Sequence, residues 1–246
     1  MLFKERIQKY EYKLNDTDDQ IIEYILENTA EVTGMSIQSL AKRMYTVPNT
    51  IMRLSKKLGY DGFSHLKSSL KDEMTQGKTA VENTSYHYIQ KTFELLDEEI
   101  LMVTAKLIKD AKYVLFFGAG DNADLCNMMV KNLRVVGKTA YFFIHRHENL
   151  HLIKEMGERD VLFLISLSGK TSQVLEMAEE AKKRNVQIIT LTHFNRNPLQ
   201  KLADYKLYCY APYQELNGYN ITDHTPVMIV LQALSQKFWK LYSFRA

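Results

Sequence analysis

The chain has 246 residues, of which 46% are hydrophobic, and these values predict one or two globular domains with a sizeable core. The net charge of +3 is too small by itself to indicate nucleic-acid binding, and the two cysteines, Cys126 and Cys209, have neither metal-ligand nor disulfide spacing. There is no apolar signal region at the start and no apolar run of the roughly 18 residues that span a bilayer. We therefore expect a cytoplasmic protein that uses no cofactor or metal and binds no membrane.

Charged residues are segregated within the first 71 positions. Residues 15–31 contain six acids and no base, whereas residues 42–71 contain seven bases and one acid, Asp61. A basic block within a short helical region is the electrostatic pattern that phosphate binding requires. On charge alone, a solvated helix face is an equally good interpretation.

Residues 1–74 have the pattern of a helical domain. Residues 18–28 carry apolar side chains at helical spacing, and residues 36–44 form a short amphipathic helix that Ser36 can cap. After a three-residue connection, Pro48 suits the first position of a second helix, which Gly59 ends. Two short helices joined by a tight turn are typical of a helix-turn-helix.

A linker and a long helix are predicted next. Residues 75–86 are polar and contain Gly77, which favours a linker between domains. Residues 88–111 follow with an apolar stripe at helical spacing, made of Ile89, Phe93, Leu96, Ile100, Val103 and Leu107. This stripe can pack on the following domain or pair with a second subunit, and both alternatives stay open.

From residue 112 onward, strand and helix patterns alternate. Apolar runs at 113–117, 139–144, 161–166, 188–192 and 205–210 predict strands, and helical segments are expected at 121–136, 171–184 and 225–241. This alternation predicts an α/β fold, a doubly wound parallel sheet with helices on both faces, as a second domain of residues 87–246.

The end of the first predicted strand carries small polar residues. Ligands of open parallel sheets bind beyond the carboxyl ends of the strands. Gly118, Gly120 and Asn122 lie at such an end, and glycines there allow a ligand to approach the backbone. They do not complete a GxGxxG pattern, so a glycine turn without a ligand explains them equally well.

Hydroxyl side chains gather at the end of the strand predicted at 161–166. Ser166, Ser168 and Thr171 surround Gly169 at the start of a helix, where backbone N–H groups and the helix dipole attract anions. This composition favours a phosphate site, with capping of the helix by Thr171 or Ser172 as the alternative. A Walker A loop is not indicated, because Leu164 stands where its first glycine is needed.

Two stretches of the chain resemble known families. Residues 112–242 resemble a sugar isomerase (SIS) domain, an α/β module that binds phosphosugars, on the motifs at 114–120, 160–171, 191–192, 197–199 and 203–204. Residues 1–74 resemble the helix-turn-helix domain of RpiR-family regulators, on the stretches at 40–43 and 50–63. The resemblance implies a DNA-binding transcriptional regulator whose operator binding responds to a phosphorylated sugar, in a homodimer or higher oligomer such as a tetramer.

The resemblance also implies roles for single residues. Ser166, Ser168 and Thr171 fall on the family's phosphate-binding loop. Asn122 stands where such domains often have a serine, and its larger amide, which offers a donor and an acceptor, indicates a changed ligand. Val47 stands where the recognition helix commonly has a serine N-cap, so we expect Pro48 to preorganise the first turn.

We expect the helix at residues 48–58 to enter the major groove of operator DNA. Asn49, Thr50 and Arg53 are the candidates for base contacts, and Thr50 can equally be structural. Four bases are candidates for phosphate contacts: Lys56 and Lys57 on this helix, and Lys42 and Arg43 on the preceding one.

Two other functions are compatible with the sequence. A phosphosugar isomerase needs a general base, for which the candidates are His145, His147, Glu148, Glu215 and His224. None of them belongs to an assignable catalytic motif, so we expect no catalytic residue and no enzyme activity. A DNA-binding or scaffold protein with a decayed sensor is the third alternative, because Asn122 departs from the family pattern.

Overall fold

The computed structural model describes residues 2–10, 13–76 and 85–242. The chain divides into two compact units, Met1–Glu82 and Asn83–Ala246. Residues 77–84, which form most of the predicted linker, lie outside the described residues. No helix within the described ranges is both long enough and apolar enough to cross a membrane.

The described part of the first unit consists of six helices. They are α1 (Phe3–Lys9), α2 (Asp16–Glu27), α3 (Thr29–Gly34), α4 (Ile37–Arg43), α5 (Pro48–Lys57) and α6 (Phe63–Gln76). Their core contains Leu40 of α4, Ile51 and Leu54 of α5, and Phe63 of α6, each at most 3% exposed. The short connection between α4 and α5 confirms the predicted helix-turn-helix.

Local capping explains where these helices begin and end. The Ser36 hydroxyl accepts a hydrogen bond from the backbone N–H of Ser39 at 3.1 Å and starts α4 as predicted. Gly59 has φ +76° and follows α5, which fits the predicted terminating glycine. Arg6 of α1 donates to the carbonyl oxygens of Leu58 and Gly59 at 3.2 and 2.9 Å, so α1 fixes the end of α5.

The second unit is built on a five-stranded parallel sheet. Its strands are β1 (Val114–Gly118), β2 (Ala140–Phe142), β3 (Val161–Ile165), β4 (Gln187–His193) and β5 (Tyr205–Cys209), in the spatial order β2-β1-β3-β4-β5. A small antiparallel hairpin, β6 (Glu215–Leu216) and β7 (Tyr219–Asn220), follows β5. The parallel order confirms the predicted doubly wound sheet, and the hairpin was not predicted.

Helices cover both faces of this sheet. They are α7 (Ser85–Leu95), α8 (Glu98–Asp110), α9 (Asn122–Arg134), α10 (Arg146–Glu155), α11 (Ser172–Lys183), α12 (Pro198–Leu202) and α13 (Thr225–Lys240). Val114 and Phe116 of β1 join the core with α8, α9 and α13, whereas Leu115 and Phe117 join the core with α10 and α11. Alternate strand residues therefore serve opposite cores.

The prediction of one long helix at residues 88–111 was wrong. The chain forms α7 and α8 instead, because the carboxylate of Asp97 accepts from the N–H groups of Glu99 and Ile100 at 2.9 and 3.0 Å and starts a new helix. The break shifts the buried face of α8 by one residue, to Leu101, Thr104, Ala105 and Ile108. Phe93 and Val103 of the predicted stripe are 58% and 38% exposed.

Candidate ligand pocket and nucleic-acid interface

The turn from β3 into α11 gathers the predicted phosphate-binding hydroxyls. Ser166 is 2% exposed, and its backbone N–H donates to the carbonyl of Leu191 on the neighbouring strand at 3.1 Å. Its hydroxyl lies 3.1 Å from the hydroxyl of Thr171. The Ser168 hydroxyl accepts from the N–H of Lys170 at 3.2 Å. The turn is thus closed by its own hydroxyl groups.

Thr171 is the N-cap residue of α11, yet its side chain makes no capping bond. Its hydroxyl pairs with Ser166 instead, so the alternative of simple helix capping by Thr171 or Ser172 is not observed. The first N–H groups of a helix have no partner within the helix, and the dipole adds positive potential there. This helix start therefore has the electrostatics of an anion site.

Gly169 gives the turn its shape. It has φ +60°, a conformation that favours glycine, and its carbonyl accepts from the N–H of Leu199 at 3.2 Å. A Cβ at this position would stand 2.0 Å from Oδ1 of Asn197. Asn197 caps the short helix α12 by accepting from the N–H of Gln200. The helix α12, which was not predicted, thus contacts the turn through its N-cap residue Asn197.

The end of β1 forms the opposite wall. A Cβ on Gly118 would lie 2.8 Å from the Cβ of Asn122, so the glycine lets α9 start close to the strand. The Asn122 amide nitrogen donates to the carbonyl of Ala119 at 3.4 Å. Its Oδ1 is buried and has no hydrogen-bond partner among the described residues. A buried acceptor without a partner is costly, which suits a residue that awaits a ligand donor.

Between these walls lies a cavity of about 480 Å³ at the carboxyl edge of the sheet. Of the seven predicted ligand residues, Gly120, Asn122, Ser166, Ser168 and Thr171 line it, whereas Gly118 and Gly169 shape its walls. The other polar lining residues are Lys170, His193, Asn195, Tyr213, Asn220, Thr222 and His224. This volume fits a small polar ligand.

Helix α5 presents three of the predicted DNA-binding residues on one face. Asn49, Arg53 and Lys56 are exposed and recur at helical spacing, while Ile51 and Leu54 are buried. Thr50 is partly buried, and its N–H donates to the carbonyl of Val47 at 2.9 Å. Val47 makes no capping bond, and Pro48 stands in the first turn, which matches the expected preorganisation.

Two of the predicted phosphate-binding bases have partners inside the first unit. Lys57 forms an ion pair with Asp18, whose side chain is 4% exposed. Arg43 pairs with Glu31 at 2.8 Å, and both side chains are about half exposed. In the described part of the chain, Lys42 and Lys56 are exposed and have no ion pair. The four candidate phosphate-binding bases therefore divide into two that are ion-paired and two that are solvated.

Comparisons with known proteins agree in both units. A family model described as a helix-turn-helix domain of the rpiR family matches residues 1–77, and a SIS domain model matches residues 107–235. The chain belongs to the rpiR family of helix-turn-helix regulators that carry a SIS domain. The RpiR-family and SIS resemblances of the sequence are thereby confirmed.

Curated relatives that match this chain over most of their length are also described as transcriptional regulators. The transcriptional regulator GlvR of Bacillus subtilis is 26% identical, over 97% of this chain and 95% of its own. The transcriptional regulator RpiR of Escherichia coli is 25% identical, over 89% of this chain and 80% of its own. This rpiR-family chain is therefore a transcriptional regulator with a helix-turn-helix and a SIS domain.

A solved structure shares the fold of the whole chain. The Vibrio vulnificus NanR protein, complexed with ManNAc-6P, superposes with a TM-score of 0.63 over 98% of this chain and 92% of that one, at 23% identity. The sugar isomerase domain of an RpiR transcription factor from Sphaerobacter thermophilus gives a TM-score of 0.56 over 62% of this chain and 84% of that one, at 16% identity. At these identities the likeness establishes the fold alone.

Two histidines of the rpiR-family pocket were not predicted as ligand-binding residues. His193 Nδ1 accepts from the N–H of Ala211 at 3.0 Å, so Nε2 carries the hydrogen of the neutral ring. His224 Nδ1 lies 2.8 Å from the carbonyl of Thr222 and donates to it, so Nε2 is an acceptor when the ring is neutral. Among the described lining residues, His224 is also the only one of the five candidate general bases.

Sequence reasoning also missed Tyr45 in the helix-turn-helix. Tyr45 has φ +50° and is fully exposed, although a left-handed backbone costs a bulky residue free energy. It lies in the turn that precedes α5, next to the predicted DNA-binding face. A residue with a strained backbone and a fully exposed ring is a candidate for contact with a partner.

Proposed function

We propose that this regulator binds operator DNA through α5 and that a phosphorylated sugar in the SIS pocket changes its operator affinity. The observation that carries the proposal is the hydroxyl-lined turn of Ser166, Ser168 and Thr171, which faces the cavity at the start of α11. A phosphate group needs hydrogen-bond donors and positive charge, and this turn offers hydroxyls, helical N–H groups and the adjacent Lys170.

Other lining residues of the cavity suit the uncharged part of a sugar. His224 offers a ring nitrogen, and the buried Oδ1 of Asn122 needs a donor. Sugar hydroxyl groups supply donors and acceptors together. The complex of NanR with ManNAc-6P supports the same ligand class for this chain.

The proposal that α5 binds operator DNA rests on the exposed residues of this helix. Asn49 and Arg53 have side chains that hydrogen-bond to base edges, and we assign Lys56 to phosphate contact. Lys42 can reach the backbone from α4, while Arg43 and Lys57 must first leave their partners in the first unit. A regulator of operator DNA works where the DNA lies, so we propose the cytoplasm as its location.

We propose further that two copies assemble through the second unit, because helix-turn-helix proteins read paired half-sites as dimers. Helices α7, α9 and α13 border a shallow, mostly apolar groove of about 510 Å³. Its apolar lining includes Phe93, Met128, Met228, Ile229 and Ala233, and Phe93 and Met228 are 58% and 47% exposed. Such a patch favours burial against a second copy.

The first experiment is a thermal shift panel of phosphorylated sugars and amino sugars, each beside its unphosphorylated parent. A ligand that binds only the folded state raises the melting temperature, so we expect shifts with phosphorylated compounds alone. Ser168→Ala and Thr171→Val should reduce the shift, and Ser172→Ala, on the same helix start but outside the cavity, is the matched control.

The second measurement is operator affinity with and without the active compound, on duplexes selected from a randomised library. We expect the affinity to change at least about fivefold. A thermal shift without any change in affinity would contradict modulation. No shift with any compound would favour the decayed sensor, and turnover of a phosphosugar would revive the isomerase.

A further inference from the structure

The chain segment after β5, residues 210–214, has no regular secondary structure, and its backbone is held by side chains. The N–H of Tyr210 donates to the hydroxyl of Thr92 at 3.0 Å, and the N–H of Ala211 to Nδ1 of His193 at 3.0 Å. The N–H of Gln214 donates to the hydroxyl of Thr222 at 3.0 Å. The position of this wall segment therefore depends on the side chains around it.

One side of the wall segment belongs to the cavity. Ala211 and Tyr213 line the cavity, as do its anchors His193 and Thr222. Thr222 also donates to Oδ1 of Asn220, another lining residue, at 2.6 Å. A ligand that fills the cavity contacts this segment or its anchors.

The other side of the wall segment is bonded to α7. The Thr92 hydroxyl is fully buried, and it accepts from Tyr210 while donating to the carbonyl of Tyr88 at 2.8 Å. The amide of Gln214 donates to the Tyr88 hydroxyl at 2.9 Å. The ring of Tyr210 lies 6.0 Å from that of Tyr88 and 5.2 Å from that of His193. The cavity and α7 thus share one connected set of hydrogen bonds and rings.

We propose that Thr92 and Tyr88 are positioning residues that transmit occupation of the SIS pocket, through the wall segment, to α7 and so to the DNA-binding unit. This inference rests on the proposed function and adds its regulatory route. Helix α7 is the first described helix after α6, from which residues 77–84 separate it. A change in its position therefore displaces Ser85, the residue at which the described part of the second unit begins.

Buried hydrogen bonds suit this role because they have discrete arrangements. A displaced Tyr210 N–H must either keep Thr92 as its acceptor or leave the buried Thr92 hydroxyl without its donor, which costs free energy. If ligand binding shifts the wall segment, Thr92 and α7 move with this segment. A ligand that differs in affinity for the two arrangements then shifts their populations.

The test measures ligand binding and operator response on the same variants of the full chain. Thr92→Val removes the hydroxyl with little change in volume, Thr92→Ser keeps it, and Tyr88→Phe removes the bond to Gln214. Tyr86→Phe, on the same helix but 75% exposed, is the matched control. The probe is ManNAc-6P, or the panel compound with the largest thermal shift if ManNAc-6P gives none.

We expect Thr92→Val and Tyr88→Phe to keep the probe's thermal shift and to lose most of an at least about fivefold change in operator affinity. Thr92→Ser and Tyr86→Phe should respond like the parent. An unchanged response in both Thr92→Val and Tyr88→Phe, with the parent responding, overturns the inference and leaves the proposed function intact. A parent that neither binds nor responds overturns the proposed function, and the inference with it.

Discussion

Gly169 and Asn197 approach so closely that a Cβ on the glycine would stand 2.0 Å from the asparagine's Oδ1. The asparagine cannot simply move aside, because its Oδ1 caps α12 and its amide donates to Asn195. The contact therefore joins the turn between β3 and α11 to the start of α12. The conformation of the turn depends on a residue 28 positions away in sequence.

Gly169→Ala should destabilise the second unit and abolish the thermal shift by phosphosugars. Alanine at φ +60° costs about 1–2 kcal/mol, and overlap with Asn197 adds about 1–3 kcal/mol. Gly120→Ala is the matched control, because Gly120 has φ +61° and nothing within 4 Å of its added Cβ. Urea unfolding of both variants checks the difference, and equal losses would show that the overlap is relieved without cost.

Lys57, which is ion-paired, and Lys56, which is solvated, should respond differently to substitution by methionine. Lys57→Met leaves the buried carboxylate of Asp18 without its cation and should lower the free energy of unfolding by about 1–3 kcal/mol. Lys56→Met should leave stability unchanged and reduce the salt dependence of operator binding by about one phosphate contact.

Urea unfolding and a salt series of operator affinities separate the two lysines. Equal losses of operator affinity without a change in stability would contradict the structural role of Lys57. In that case both lysines would bind DNA phosphates, as the sequence analysis predicts.

Particular residues show how much of the fold and of the candidate site could be predicted from the sequence. Pro48, Gly59 and the apolar spacing of α5 act locally, so they predicted the helix-turn-helix. The hydroxyls after β3 predicted a phosphate site because ligands bind at strand ends, and that site stays a prediction. Asn197 and α12 were missed, since only the folded chain brings them under Gly169. The long helix was wrong because one aspartate, Asp97, capped a new helix within an uninterrupted apolar pattern.

Tyr45 should contribute to operator binding at a cost in stability. Tyr45→Gly relieves the backbone at φ +50° and should leave the free energy of unfolding unchanged or raise it by up to about 1 kcal/mol. Loss of the exposed ring should weaken operator binding about five- to thirtyfold, as one or two lost contacts would.

Tyr45→Ala removes the ring but keeps the strain, so it should lose operator affinity without gaining stability. Thermal unfolding and fluorescence anisotropy on the selected operator give the two readouts. Full operator affinity in Tyr45→Gly would mean that the ring has no partner on DNA.

The exposed ring of Phe93 should lie at the contact between two copies. Phe93→Asp places a charge in the apolar groove of α7, α9 and α13, where burial against a second copy would leave it unpaired. We expect the variant to be a monomer by light scattering and to bind a two-half-site operator more weakly, because only one half-site is held at a time. Val135→Asp is the matched control, since Val135 is 72% exposed and does not line the groove, so it should stay a dimer. A monomeric parent protein, or a Phe93→Asp variant that remains dimeric, would place the contact between copies elsewhere.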